Sequence, residues 1–148
     1  MKFTKESHFE IPTHFDHLQE TRDNIRKFLE DSQFTDLEKN RILLSLDEAI
    51  TNIIEHGYPE NKIGLIQIQL RLNEDGTHFK CTLIDDAIPF NPLLKAKADP
   101  DDFIQESRDG GMGIYNYLHL MKVEYEEVIT GGNCLNLSYK KKAVQVTE

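Results

Sequence analysis

The stretch from Gly64 to Asp85, "GLIQIQLRLNEDGTHFKCTLID", decides what kind of fold this chain adopts. Two runs of alternating apolar and polar residues, 64–72 and 78–85, stand on either side of "NEDGT". Alternation with period two marks half-buried strands, and Asp75-Gly76 between such runs signals a tight turn. The pair therefore reads as an antiparallel hairpin. Near the end of the chain "KVEYEEVIT" and "CLNLSYKKK" flank "GGN" in the same way, and "FTKESHFEIP", ending at Pro12, reads as an edge strand.

Helical periods fill the rest. From about Phe15 to Ser32, apolar residues at Phe15, Leu18, Ile25, Phe28 and Leu29 fall mostly on one face. A stronger helix opens at Thr35 or Asp36 as N-cap and runs to His56, where Gly57 ends it and Pro59 forbids its return. A third begins at Gly113 and reaches about Met121. Hairpins leave no crossovers to cover both faces of a sheet. The order of elements thus predicts an α+β two-layer sandwich, with a mixed, mostly antiparallel sheet covered on one face by three helices.

The 148 residues are expected to form one domain, with a core large enough to need neither disulfides nor a metal. Lysine and arginine total 17 against 26 acids, a net charge of -9, which argues against a nucleic-acid partner. A small anion is not excluded, because backbone dipoles and a divalent cation can hold one. Cys81 and Cys134 fall in strands with no metal-ligand spacing and read as core residues in a reducing compartment. No apolar run is long enough to span a bilayer, and "MKFTKESHFE" has no signal-peptide pattern, so a cytoplasmic location and no membrane partner are expected. The tail at 143–148 is expected to fray.

Three stretches could carry chemistry. In "RILLSLDEAITNIIEHGY" (41–58), Ile42, Leu46, Ala49, Ile50 and Ile53 form a core face. Arg41, Ser45, Glu48, Asn52, Glu55 and His56 gather opposite, either as a solvated face or as a site. Asn52 is a poor mid-helix residue; four positions after Glu48 it could aim a neutral oxygen into the same cleft as a carboxylate, suiting a hard cation and a general base. In "CTLIDDAIPFNP" (81–92), alternation puts Asp85 on the apolar face of Phe79, Cys81 and Leu83. It is there either as a turn acid bonding local backbone or as an acceptor for a ligand amino group. In "SRDGGMGIYNYLHLM" (107–121), Gly110, Gly111 and Gly113 precede a helix, forming either a tight loop or a phosphate cradle beside Arg108. The irregular segment between these two stretches carries three prolines and six acids across 86–111. So long a loop in a compact domain counts against the element assignment unless it is a lid over a ligand.

Taken in order, "DEAITNIIEHGY", "DDAIPFNP" and "GGMGIYNYLHLM" resemble the ATP-binding fold shared by histidine kinases, gyrase and heat-shock chaperones. They are most similar to its small stand-alone branch, the anti-sigma-factor serine/threonine kinases. The resemblance runs from the first strand to the last hairpin. It implies a Mg²⁺- and ATP-dependent protein kinase in which Glu48 is the general base, Asn52 ligates Mg²⁺ and Asp85 accepts from the adenine amino group. It implies a lid over about 93–109. Ala87, Arg108, Gly110, Gly111, Met112 and Gly113 then complete the ATP site, with the glycines as its phosphate hinge. It further implies a homodimer that phosphorylates an anti-sigma-factor antagonist and binds a sigma factor. The other function compatible with these motifs is a non-catalytic ATP-binding switch that sequesters a protein. Two positions depart from the superfamily's pattern: Ala87 stands where glycine is usual, and Gly132-Asn133 replace a Gly-Thr pair that supports the adenine site.

Overall fold

The computed structural model describes residues 2–59, 62–95 and 117–142. Five strands, β1 (Phe3–Pro12), β2 (Leu65–Asn73), β3 (His78–Asp85), β4 (Lys122–Glu127) and β5 (Asn133–Lys140), form one sheet in the order β1-β2-β3-β5-β4. Among the described residues all four pairings are antiparallel, so the antiparallel expectation holds and the sheet is not mixed. The hairpin of the opening stretch sets the register, with Leu72 opposite Phe79 and Ile66 opposite Asp85. β1 is an edge strand as its sequence reads, and Pro12 ends its pairing opposite Leu65.

The helices are α1 (Leu18–Phe28), flanked by 3-10 turns at Phe15–His17 and Leu29–Asp31, and α2 (Asp36–Gly57). A short α3 (Pro92–Lys95) lies in the segment that follows β3, and a further helical turn covers 117–120. α3 falls in the segment whose three prolines, six acids and lack of a sustained period predict irregular chain. Pro92 instead occupies the first helical position, where proline is tolerated, and the Asn91 side chain accepts from Leu93 N at 2.9 Å. Among the described helices, none is long and apolar enough to cross a membrane.

One face of the sheet meets the helices. Ile66, Ile68, Leu70, Phe79, Leu83 and Leu137 from the sheet join Ile25, Leu29, Ile42, Leu46 and Ile50, each 1% exposed or less. At roughly 1.5–3 kcal/mol for each fully buried large apolar side chain, this layer dominates the stability. Two expectations for α2 change. Ser45 is fully buried rather than on the polar face, because its hydroxyl donates to the Arg41 carbonyl at 2.7 Å and so needs no water. Gly57 is the last helical residue rather than a left-handed stop beyond the helix.

α2 starts where its sequence says. Thr35 is the N-cap of a capping box: its Oγ1 accepts from Glu38 N at 3.1 Å, and Glu38 Oε1 accepts from Thr35 N at 3.0 Å. The same carboxylate accepts from Tyr139 Oη at 2.7 Å and Lys141 Nζ at 2.9 Å, tying the end of β5 to the helix. Burial alone would raise the Glu38 pKa, but the Thr35, Lys141 and Tyr139 bonds together hold it down to about 2. A carboxyl whose folded pKa lies below its unfolded value stabilises the fold above the unfolded value and loses that contribution as pH falls through the folded one. Glu38→Gln should therefore lower stability by about 1–3 kcal/mol at pH 7, with the gap closing between about pH 4.5 and pH 2. Melting temperatures of both proteins across that range check it; a constant gap would refute the role.

Candidate functional site

The C-terminal half of α2, the turn after β3, Tyr117 and the facing ends of β4 and β5 line a small, partly open cleft. Ala49, Asn52, Ile53, His56 and Gly57 come to it from the helix, and Asp85 and Ala87 from the turn. The resemblance implies one site for the candidate residues of these two stretches; the fold brings Asn52, Asp85 and Ala87 into one lining, and Glu48 is not part of it.

Asp85 is 5% exposed, as the parity of its strand requires. Its Oδ1 accepts from Ala87 N at 2.9 Å and from Asn133 Nδ2 at 2.9 Å. Both bonds fall on one oxygen, and among the described residues none donates to Oδ2. Asp85 thus makes the local turn bond through one oxygen, and the residue lines the cleft. Burial raises the Asp85 pKa and the two bonds oppose that rise, with the Asp86 charge pushing it further up. A buried carboxylate with a spare oxygen is an acceptor that water hydrates poorly, and a ligand N–H group satisfies it.

Asn133 was read as a departure from the usual Gly-Thr pair. It reaches Asp85 directly, and every hydrogen-bonding position on its amide is used. Nδ2 donates to Asp85 and to the Ile88 carbonyl (3.2 Å), while Oδ1 accepts from Phe90 N (2.8 Å) and Tyr125 Oη (2.5 Å). These bonds fix the amide orientation and hold the chain from 85 to 90 against β5. The preceding residue makes that approach possible. Gly132 has φ +110, and a Cβ there would overlap the Asp85 carbonyl oxygen. Asn133 and Tyr125 are the residues sequence reasoning undervalued. The alternation of "KVEYEE" puts Tyr125 on the inner face, but the bond depends on register between strands.

Glu48 sits half-buried one turn before Asn52 on the same helix. Its pKa is raised, chiefly by burial and further by the charges of Asp47 and Glu55. Asp47 is held in turn by Arg22 of α1, whose Nε and Nη2 donate to its two oxygens at 2.7 and 3.0 Å. This fork pins α1 against the part of α2 that carries Glu48 and raises the Arg22 pKa. His14, meanwhile, accepts from Asp16 N at 3.1 Å as the cap of the first 3-10 turn. Arg108, Gly110, Gly111, Met112 and Gly113, and nearly all of the expected lid, lie outside the described residues.

A family model described as the histidine kinase-like ATPase domain matches residues 11–139. The serine-protein kinase RsbW of Staphylococcus aureus is 33% identical over 93 residues, covering 60% of this chain and 56% of that protein. The chain thus spans little more than half the length of this curated relative. Among solved structures, the RsbU and RsbW domains of Rv1364c from Mycobacterium tuberculosis superpose with a TM-score of 0.63 at 18% identity, over 97% of this chain and 35% of that one. A chain of the SiaB-SiaC complex from Pseudomonas aeruginosa gives 0.56 at 17% identity, over 90% and 88%. At such identities the two superpositions bear on fold alone.

Proposed function

This chain belongs to the family of histidine kinase-like ATPase domains, and from that premise we propose that it is an Mg·ATP-dependent protein serine/threonine kinase. In this reading it acts as an anti-sigma factor in the cytoplasm and phosphorylates a small anti-sigma-factor antagonist. The observation that carries it is the buried Asp85 carboxylate, with one oxygen held by Ala87 and Asn133 and the other left at a cleft that Asn52 also lines. The relative named as a serine-protein kinase supports the activity.

The roles follow from the chemistry of each group. Asp85 Oδ2 accepts from the adenine amino group, and the apolar walls of Ile53, Ala87 and Leu135 take the flat ring. Asn52 supplies one neutral oxygen, which suits Mg²⁺ because that ion keeps its waters and takes its other ligands from phosphate. When bound, Mg²⁺ neutralises the triphosphate charge. Glu48 takes the proton of the substrate hydroxyl as its oxygen bonds to the γ-phosphorus; the bridging oxygen leaves with ADP. Arg108 and the hinge of Gly110, Gly111, Met112 and Gly113 hold the phosphates, and 93–109 close over them. Calorimetric titration with ATP, with and without Mg²⁺, tests the assignment of Asn52. The unaltered protein should bind in a saturable, Mg²⁺-dependent way, and Asn52→Ala should lose that dependence; a variant that titrates like the parent would remove Asn52 from the site.

The same reading includes a homodimer, and the outer face of the sheet favours it. Pairing aligns Glu6, Arg71, Lys80, Ser138 and Lys122 in one row across this face. Two rows away lie Glu10, Gln67, Ile84, Cys134 and Glu126. The first row is net positive and the second negative. A two-fold axis parallel to the sheet and perpendicular to the strands lays each row of one copy on the other row of the second copy, which sets Lys122 against Glu126 at one edge and Glu6 against Glu10 at the other. Light scattering should find a dimer that Lys80→Glu with Lys122→Glu weakens about tenfold and added salt weakens too. A dimer indifferent to both would exclude this face.

A further inference from the structure

The last turn of α2 makes two contacts with the turn that carries Asp85, and neither belongs to the roles above. At Gly57, a Cβ would lie 2.8 Å from the Ala87 Cβ, closer than two methyl groups approach. The missing side chain on the helix is the space that the methyl of Ala87 fills. At Tyr58, Oη donates to Asp86 Oδ1 at 2.5 Å and accepts from Asp86 N at 3.2 Å. The Tyr58 ring lies where a side chain on residue 64 would stand, and that residue is glycine. Gly64 is tied to the end of β1 by its N–H to Thr13 Oγ1 (2.8 Å) and by Thr13 N to its carbonyl (3.0 Å). Residues 57 and 58 thus grip residues 86 and 87 on both sides of the peptide chain that leaves Asp85, from a helix whose preceding turns carry Asn52 and Glu48.

We propose that Gly57-Tyr58 is a positioning clamp: it fixes the Asp85 carboxylate relative to Asn52, and so sets how strictly the cleft reads the edge of a purine. The inference rests on the nucleotide reading given above. Tyr58 stands outside the cleft lining and acts through Asp86; Gly57 lines the cleft, and its part in the clamp is exerted through Ala87. The Gly57–Ala87 pair also gives a physical account of the alanine at 87. A methyl moved from one side of the contact to the other fits, two methyls do not, and the glycine at 57 is therefore matched to the alanine at 87.

The test measures dissociation constants for Mg·ATP and for Mg·ITP (inosine triphosphate), which carries a carbonyl where adenine has its amino group. Loss of structure weakens both nucleotides alike, whereas a loosened Asp85 lowers the ratio between them. Tyr58→Phe and Asp86→Ala should each cut the preference for ATP about fivefold, and the two together should do little more than either alone. Asp86→Asn, whose amide oxygen still accepts from the tyrosine hydroxyl, should keep most of it. Gly57→Ala should weaken ATP binding about tenfold, and adding Ala87→Gly to it should recover most of that loss. Should Gly57→Ala fail to fold, the Tyr58 and Asp86 variants decide alone. Variants that melt earlier but keep the parental ratio would overturn the clamp and leave nucleotide binding standing. A parent protein that binds no ATP would overturn both.

Discussion

Asp85→Asn should lose ATP by about a hundredfold or more and should bind ITP better than ATP. The reason is the direction in which the new amide must lie. Oδ1 of Asp85 accepts two hydrogen bonds, from Ala87 N and Asn133 Nδ2. Asn133 cannot turn to help, because its own oxygen accepts from Phe90 N and Tyr125 Oη. An asparagine at 85 therefore keeps its oxygen at the Oδ1 position and presents its NH₂ group where Oδ2 was. Against the adenine amino group this sets donor facing donor in a buried place, which costs a charge-assisted bond and leaves two unpaired groups. Against the carbonyl of inosine it offers a donor to an acceptor. Calorimetry with both nucleotides reads the inversion, and a variant that still prefers ATP would mean the amino group is read elsewhere.

Glu48→Gln should lower phosphate transfer by about 10²–10⁴-fold while ATP affinity changes less than about twofold. Binding is spared in the proposed reading because it assigns ATP affinity to Asp85, Asn52, the apolar walls and the phosphate contacts, and none of it to Glu48. Transfer suffers because an amide cannot take the hydroxyl proton. The pH profile sharpens the point. Burial and the neighbouring Asp47 and Glu55 charges raise the Glu48 pKa, so the acid limb of the transfer rate should lie above the range of an ordinary glutamate. In Glu48→Gln that limb should vanish. A variant that transfers phosphate at the parental rate would exclude Glu48 as the base. A parent that binds ATP and its partner without any transfer would favour the sequestering switch.

What the sequence discloses here is what depends on local pattern. The two-residue period of 64–85 carries both the hairpin and the inward aim of Asp85, because strand parity survives without knowledge of neighbours. Thr35 and Glu38, three apart, announce the start of α2 and form the box that the fold contains. Ser45 is the instructive exception within that helix. A hydroxyl looks polar, yet its bond to the Arg41 carbonyl lets it enter the core. What was hidden depends on register and on contacts distant in the chain. Asp85 meets Asn133 across 48 residues because β3 and β5 pair with those two residues opposite one another. Gly57 looks like a helix stop, and only the approach of Ala87 explains it. The glycines at 110–113 lie outside the described residues, so their proposed phosphate contacts rest on the resemblance, whereas Asn52, Asp85 and Ala87 share one cleft in the fold.

The most direct measurement is a calorimetric titration of the unaltered protein with Mg·ATP and, in parallel, with Mg·ITP. A cleft whose buried Asp85 accepts from an amino group predicts saturable ATP binding, preferred over ITP by about ten- to a hundredfold. Equal affinities for the two nucleotides, or no heat with ATP at millimolar concentration, would contradict it.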